Sequence, residues 1–418
     1  MILRLTRMEL KKIGWKKTLL VFIALSLPWL YIYTVSLQDV HRINWQELSY
    51  IKTVQGPLTE EKYQMISDDL KNLGYDSSAE LRETTEEEME QLSQRGKYGD
   101  TIGNDKYFME NALNTCNYIL NQEHLRLTIM EQARQNLKTL PEDASYEIRM
   151  NRDALQRAST MAPLEIMKTN NCFSNFYSNL SQQQSVTILL AVIILLAGIA
   201  AREHETKMMP LLLSSRNGKG SLFTAKALAC ALVGIAVTVY FNLLVFCCMV
   251  YTYGIDGILN PLNNLPEFQL SLSRLNLLQF FFIQLLMQCI ATVVFSFIVL
   301  LLSALTRGTI VSAAISGVLA AGVVWAEHFL RTTMLAFAGD AARRLFFGIK
   351  QFLFAALYYP GGYFTMYQTV DVLGFPVPLP WFTACMSLLT GAVLLFFARL
   401  AYLHKSGGRK RRKEKTAA

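Results

Sequence analysis

The chain has 418 residues, of which 52% are hydrophobic and 17% charged, with a formal net charge of +8. A water-soluble protein carries nearer a quarter charged residues. An ordinary soluble protein is therefore excluded, and the apolar residues fall in long blocks rather than in periodic stripes.

Six blocks reach the roughly 20 residues that match a hydrocarbon core about 30 Å thick. They cover 18–37, 183–201, 223–253, 275–304, 308–328 and 380–403, and none has an ionisable side chain in its middle. The expected fold is an all-α polytopic membrane protein with six transmembrane helices and a helical extracellular domain between spans one and two. Without mid-span Asp, Glu, Lys or Arg, an ion or proton relay is disfavoured.

Residues 1–17 read as a cytoplasmic interfacial helix. In "RLTRMELKKIGWKK", Leu5, Met8, Leu10, Ile13 and Trp15 alternate with basic residues at helical spacing. A solvated basic stub is the plainer reading. A cleaved leader is disfavoured, because the apolar run of 18–37 is long and no A-x-A-like site follows it.

The segment between spans one and two, 38–182, is too long for a loop. Residues 38–183 hold 15 Lys and Arg against 23 Asp and Glu, a balance of −8, so the rest of the chain balances at +16. That excess sits at the N-terminus, in the island 202–222 and in the tail 405–418. With six spans all three clusters share one side, which the positive-inside rule makes cytoplasmic. The acidic segment then lies outside, both termini lie inside, and the expected location is the plasma membrane.

Within the outer segment, Gly56-Pro57 marks a turn, Thr59 an N-cap, Glu60 and Glu61 a first helical turn, and Gly74 a C-terminal stop. From Lys106 to Leu137, the residues Phe108, Ala112, Cys116, Ile119, Leu120, Leu127 and Met130 form one face of a long helix. "TTEEEMEQ" reads as a solvated acidic face rather than a cation site. Cys116 and Cys172 form a possible disulfide that the sequence leaves open. Cys230, Cys247, Cys248, Cys289 and Cys385 lie in spans as small apolar residues.

The island "AREHETKMMPLLLSSRNGKGSLFTAK" separates two uncharged runs. Pro210 marks a helix start or kink. Two readings stand side by side: a short helix lying across the membrane face, or an ordinary positive loop. "RNGKGS" fails as a phosphate loop, because Leu213 stands where the first Gly belongs and Gly220 follows Lys219. The histidines at 41, 124, 204, 328 and 404 are scattered, and no metal site, H-E-x-x-H or nucleophile elbow appears. No catalytic residues, no bound cofactor and no nucleic-acid partner are expected. Any ATP hydrolysis must belong to another subunit.

The island resembles the signature of ABC type-2 exporter permeases, carried here by Glu203, Glu205, Leu212, Leu213, Ser214, Ser215, Gly218, Lys219 and Lys226. Lys207-Met208 departs from the Gly-Thr that often follows the acidic pair. "MELKKIGWKK" resembles the family's elbow helix, and the apolar segment 343–364 its re-entrant outer element. The position of the outer insertion resembles the sodium- and drug-extruding branch. The resemblance implies an ATPase-coupling set of Glu203, Glu205, Leu212, Leu213, Arg216 and Lys219. It implies a dimer contact at Ala313, Gly317 and Ala321, a small-xxx-small face in span five.

On that resemblance the chain is expected to be the permease subunit of an ATP-driven exporter. It would pair with a cytoplasmic ABC ATPase, which holds ATP and Mg, and with a second permease copy or paralogue, in contact with membrane lipid. Cargo would be an amphipathic peptide, drug, lipid or ion. An ABC-linked sensor or immunity module, or a membrane-anchored receptor, is the alternative.

Overall fold

The structure is a computed structural model that describes residues 1–32, 56–72, 99–161, 164–166, 177, 181–214, 220–253, 255, 257–268, 270–306, 308–336, 348 and 354–404. Gly74, the "TTEEEMEQ" run, Cys172, Ser215, Arg216, Gly218, Lys219 and the basic tail lie outside the described residues, as do 343–347 and 349–353 of the expected re-entrant segment.

The chain is mostly helical. Helix α1 (Ile2–Ile13) and helix α2 (Trp15–Tyr31) meet at Gly14 with a 58° bend. Gly14 has φ 83°, a conformation that an L side chain adopts only with strain. The next membrane-type element is α6 (Ser181–Leu196), continued after a turn by α7 (Ala201–Glu205) and the short α8 (Met209–Ser214). Then come α9 (Ser221–Tyr253), α10 (Leu277–Leu305), α11 (Thr309–Ala336) and α12 (Leu379–His404). Five helices are long and apolar enough to cross a membrane, and six segments are if the bent pair α1–α2 counts as one.

Helix α10 forms the axis of the bundle and packs most extensively against α12 and α9. Its start is set by a capping box: Asn276 Oδ1 accepts from Gln279 N at 2.7 Å, and Gln279 Oε1 accepts from Asn276 N at 3.1 Å. The span Gln184–Glu205 is 72% buried in the bundle, whereas Thr309–Ala326 is only 17% buried, so α11 is peripheral. Ser312, Ser316 and Ala320 form its inward face; Ala313 and Gly317 are half-buried and Ala321 is exposed.

The core of the bundle is not wholly apolar. Thr238 donates to Thr292 at 2.9 Å, and Asn242 to Gln288 Oε1 at 2.8 Å. Gln288 in turn donates to the Tyr358 carbonyl at 3.0 Å. Such neutral interhelical bonds hold membrane helices in register where no hydrophobic contrast exists between side chains and lipid. Tyr358 closes a buried 3₁₀ turn, Phe354–Tyr358, that enters the bundle beside α10, α12 and α11. The described part of the expected re-entrant segment is therefore two such turns, with Pro360–Tyr363 the second.

The segment between α2 and α6 forms a helical unit at the opposite end of the bundle from α1. It contains α3 (Glu60–Asn72), α4 (Gly99–Thr139) and α5 (Ser145–Ser159). Two two-residue strands, β1 (Gly56–Pro57) and β2 (Glu165–Ile166), pair antiparallel at its base. Thr59 Oγ1 accepts from Lys62 N, the geometry of an N-cap. Cys116 and Ile66 are buried together, with Leu113 and Ile119 against them. Leu120 and Leu127, expected on the same face, are about half exposed. Among the described residues α4 packs against α3 around Cys116 and, further along, against α5.

This unit rests on two connections of the bundle. Tyr118 donates to the carbonyl of Asn263 at 2.7 Å, and Arg274 to that of Gln156 at 3.3 Å. Tyr146 bonds Thr369 at 2.8 Å, and the Asp153 carboxylate accepts from Tyr367. Thr369 belongs to a hairpin of β3 (Thr369–Val372) and β4 (Phe375–Pro378), which the sequence reading missed. Its turn places Leu373 at φ 55° and Gly374 at φ 81°. Asp371 Oδ1 holds that turn by accepting from Gly374 N at 2.7 Å.

Candidate functional site

The site is built where α6 breaks. Beyond Leu196 the chain turns through 197–200 and resumes as α7. Ser303 of α10 fixes the break. Its Oγ accepts from the N–H groups of Ala200 and Ala201 at 3.0 and 2.9 Å and donates to the Ala197 carbonyl at 2.8 Å. A helix interruption inside a bundle leaves backbone groups that must be satisfied, and one hydroxyl satisfies three of them here. Gly198 permits the close approach of α11, since a Cβ there would lie 3.2 Å from Thr309 Cγ2.

The break delivers Glu203 into a closed cluster of charge. Lys226, on the second turn of α9, is wholly buried. Its ammonium donates to Glu203 Oε1 at 2.7 Å, Glu9 Oε2 at 2.8 Å and the Ile199 carbonyl at 2.9 Å. All three donors of a lysine are thereby used. Lys12 reaches the same two carboxylates, Glu9 at 2.6 Å and Glu203 at 3.1 Å, from a half-exposed position. Tyr402, near the end of α12, points its hydroxyl at Glu203 Oε2 at 3.4 Å. Two carboxylates and two ammoniums thus balance, and they join α1, α7, α9 and α12.

Glu205 works on the other side. Its carboxylate accepts from Thr309 N at 2.6 Å and from Thr309 Oγ1 at 3.0 Å. It therefore caps the N-terminus of α11, where unsatisfied N–H groups favour an anion. The two acidic residues of the island are turned to different helices, which i, i+2 spacing on one helical turn achieves because such residues do not share a face.

After α7 the backbone at Lys207 takes φ 57°, the left-handed region. Helix α8 then begins with Pro210 in its first turn, where the missing N–H costs nothing. Met209 is buried. Met208 and Leu211 are 51% and 68% exposed, whereas Leu212 is only half-buried. Met208, just before this helix, and Leu211 within it present exposed apolar side chains. The backbone of Leu213 lies in α8, and its side chain is outside the description.

No family model, characterised protein or solved structure matches this chain. Its chemistry therefore rests on the geometry above.

The structure brings together three residues of the expected island signature, Glu203, Glu205 and Lys226, each with a defined partner. It adds Glu9, Lys12, Tyr402, Ser303 and Thr309, which the sequence reading did not assign. Glu9 was legible in principle: it shares the helical face of Leu5 and Ile13, and an acid on the apolar face of a basic helix needs a buried cation. Tyr402 and Ser303 carry no such signal. Among the described residues no three His, Cys, Asp or Glu side chains converge on a metal-sized site. Among the described residues Cys116 has no disulfide partner, and burial pushes its thiol pKa up to about 11.

Proposed function

We propose that the chain is the permease subunit of an ATP-driven exporter, with α1 and the Glu203–Ser214 region as the elements that receive motion from a cytoplasmic ATPase. The observation that carries this reading is the double anchoring of α7. Glu203 ties it to α1, α9 and α12, and Glu205 ties it to α11. A push on α8, three residues beyond α7 across the left-handed Lys207, is transmitted to α7 and through it to these four helices.

In this reading six spans cross the plasma membrane with both termini in the cytoplasm, and the α3–α5 unit is extracellular. The exposed Met208 and Leu211 dock in a cleft of the ATPase. ATP and Mg belong to that partner. A second permease copy meets this one along α11, whose outward side includes Ala321 with Ala313 and Gly317 beside it. The cargo is amphipathic.

The reading is tested by Glu205→Lys in the membrane complex with its ATPase. The variant is expected to insert and assemble normally while losing most of its cargo-stimulated ATP hydrolysis. Stimulation equal to that of the unsubstituted chain would remove Glu205 from the coupling path.

A further inference from the structure

A second feature adjoins the buried cluster and shares Glu9, Lys12 and Glu203 with it. A cavity of about 50 Å³ opens between α1, the first turn of α2 and the broken end of α6. Lys12, Lys17 and Arg202 line it together with Leu195 and Ile199, and the carboxylates of Glu9 and Glu203 form its inner wall.

Both carboxylates are already engaged by Lys226 and Lys12. Lys17 and Arg202 bring two further cations to the cavity, with the Glu205 carboxylate acting on Arg202 from outside it. Among the described residues neither forms an ion pair. Lys17 spends one of its three donors on the Ile194 carbonyl at 2.5 Å. The two cations line the same cavity, so their charges repel each other. An anion seated between them would relieve that repulsion.

The surroundings decide which anion. The cavity lies where the amphipathic α1 bends into α2, flanked by Trp15, which is 72% exposed, and by the exposed Leu19 and Leu20. Tryptophan and basic residues beside an apolar helix mark the head-group level of a bilayer. The floor has no side chain at Gly198, over which Arg202 lies, and Leu195 and Ile199 form an apolar wall.

We propose that Lys17 and Arg202, with Lys12 at the rim, bind a phosphate-bearing anion here, namely the head group of an anionic lipid. The guanidinium supplies paired donors to phosphate oxygens, and the lysines supply point charge. The assignment does not rest on the transporter reading, since it concerns this chain alone.

The test is native mass spectrometry of the full chain in detergent, titrated with phosphatidylglycerol or phosphatidylcholine, with and without excess inorganic phosphate. One phosphatidylglycerol should be retained in preference to phosphatidylcholine and should survive inorganic phosphate. Each basic residue near a membrane surface contributes about 1 kcal/mol toward anionic lipid, about fivefold in affinity. Lys17→Gln with Arg202→Gln should therefore weaken retention on the order of 25-fold, while Lys16→Gln, outside the cavity, leaves it unchanged. Equal retention of the two lipids by the unsubstituted chain would overturn the proposal without reference to any variant. So would an equal loss in Lys16→Gln. Displacement by inorganic phosphate would assign the site to a soluble phosphate and overturn the lipid source.

Discussion

Lys226 and Glu203 meet at 2.7 Å, the first wholly buried and the second nearly so, one at the start of a membrane-type helix and the other at the end of its predecessor. Glu9 completes the pair from the first helix of the chain. A lone ammonium in this position would be too costly to keep, so the three residues form one unit.

Lys226→Met leaves two buried carboxylates with only the half-exposed Lys12. We expect a loss of about 3–5 kcal/mol of stability, read as a large drop in the unfolding midpoint in detergent. Adding Glu9→Gln and Glu203→Gln to the same chain should restore most of it, because neutral amides at these positions need no cation. If the triple variant is no more stable than Lys226→Met alone, the cluster is not a balanced unit.

Lys207 occupies the left-handed region that glycine adopts without strain. Lys207→Gly should therefore raise stability by about 1 kcal/mol, measured as a higher unfolding midpoint. A lower midpoint would mean that the lysine side chain contributes a contact worth more than the strain.

The docking of the helical unit on the hairpin depends on Asp153, which accepts from Arg157 at 2.8 Å and from Tyr367. Asp153→Asn should loosen it by about 1 kcal/mol, seen as tryptic cleavage at Arg152 increasing about fivefold in limited proteolysis. Unchanged cleavage would place the hold elsewhere, in Tyr118 and Tyr146.

Cys116 has its thiol pushed up to about 11 by burial. At pH 8 only about a thousandth is thiolate, against roughly a quarter at the usual value near 8.5. Maleimide labelling in the folded chain should be slow at pH 8 and rise about tenfold for each pH unit toward 11. Unfolding should abolish the protection. Fast labelling of the folded chain at pH 8 would contradict the packing of Cys116 against Ile66.

Five of the expected blocks coincide with helices long and apolar enough to cross a membrane, and they were legible because a bilayer demands long uncharged blocks. Thr59 was legible because N-capping is local. The hairpin at 369–378 was not, since its turn uses Leu373 at positive φ, which no turn signal announces. The pairing of Glu203 with Lys226 and Glu9 was hidden for a different reason. It depends on where α6 breaks, and the break is held by Ser303, about a hundred residues away. Which residues of the apolar run from Met208 to Leu213 face outward was not legible either; the burial of Met209 and the exposure of Met208 and Leu211 come from packing.

The most direct test of the account is purification of the tagged chain from its native membrane in mild detergent, with the co-eluting proteins identified and counted by mass spectrometry. The account predicts a near-stoichiometric Walker-type ATPase, lost when Met208 and Leu211 are both changed to Asp while the chain still folds. A preparation free of any ATPase at several detergent strengths would contradict it, and would move the working part of the molecule to the α3–α5 unit.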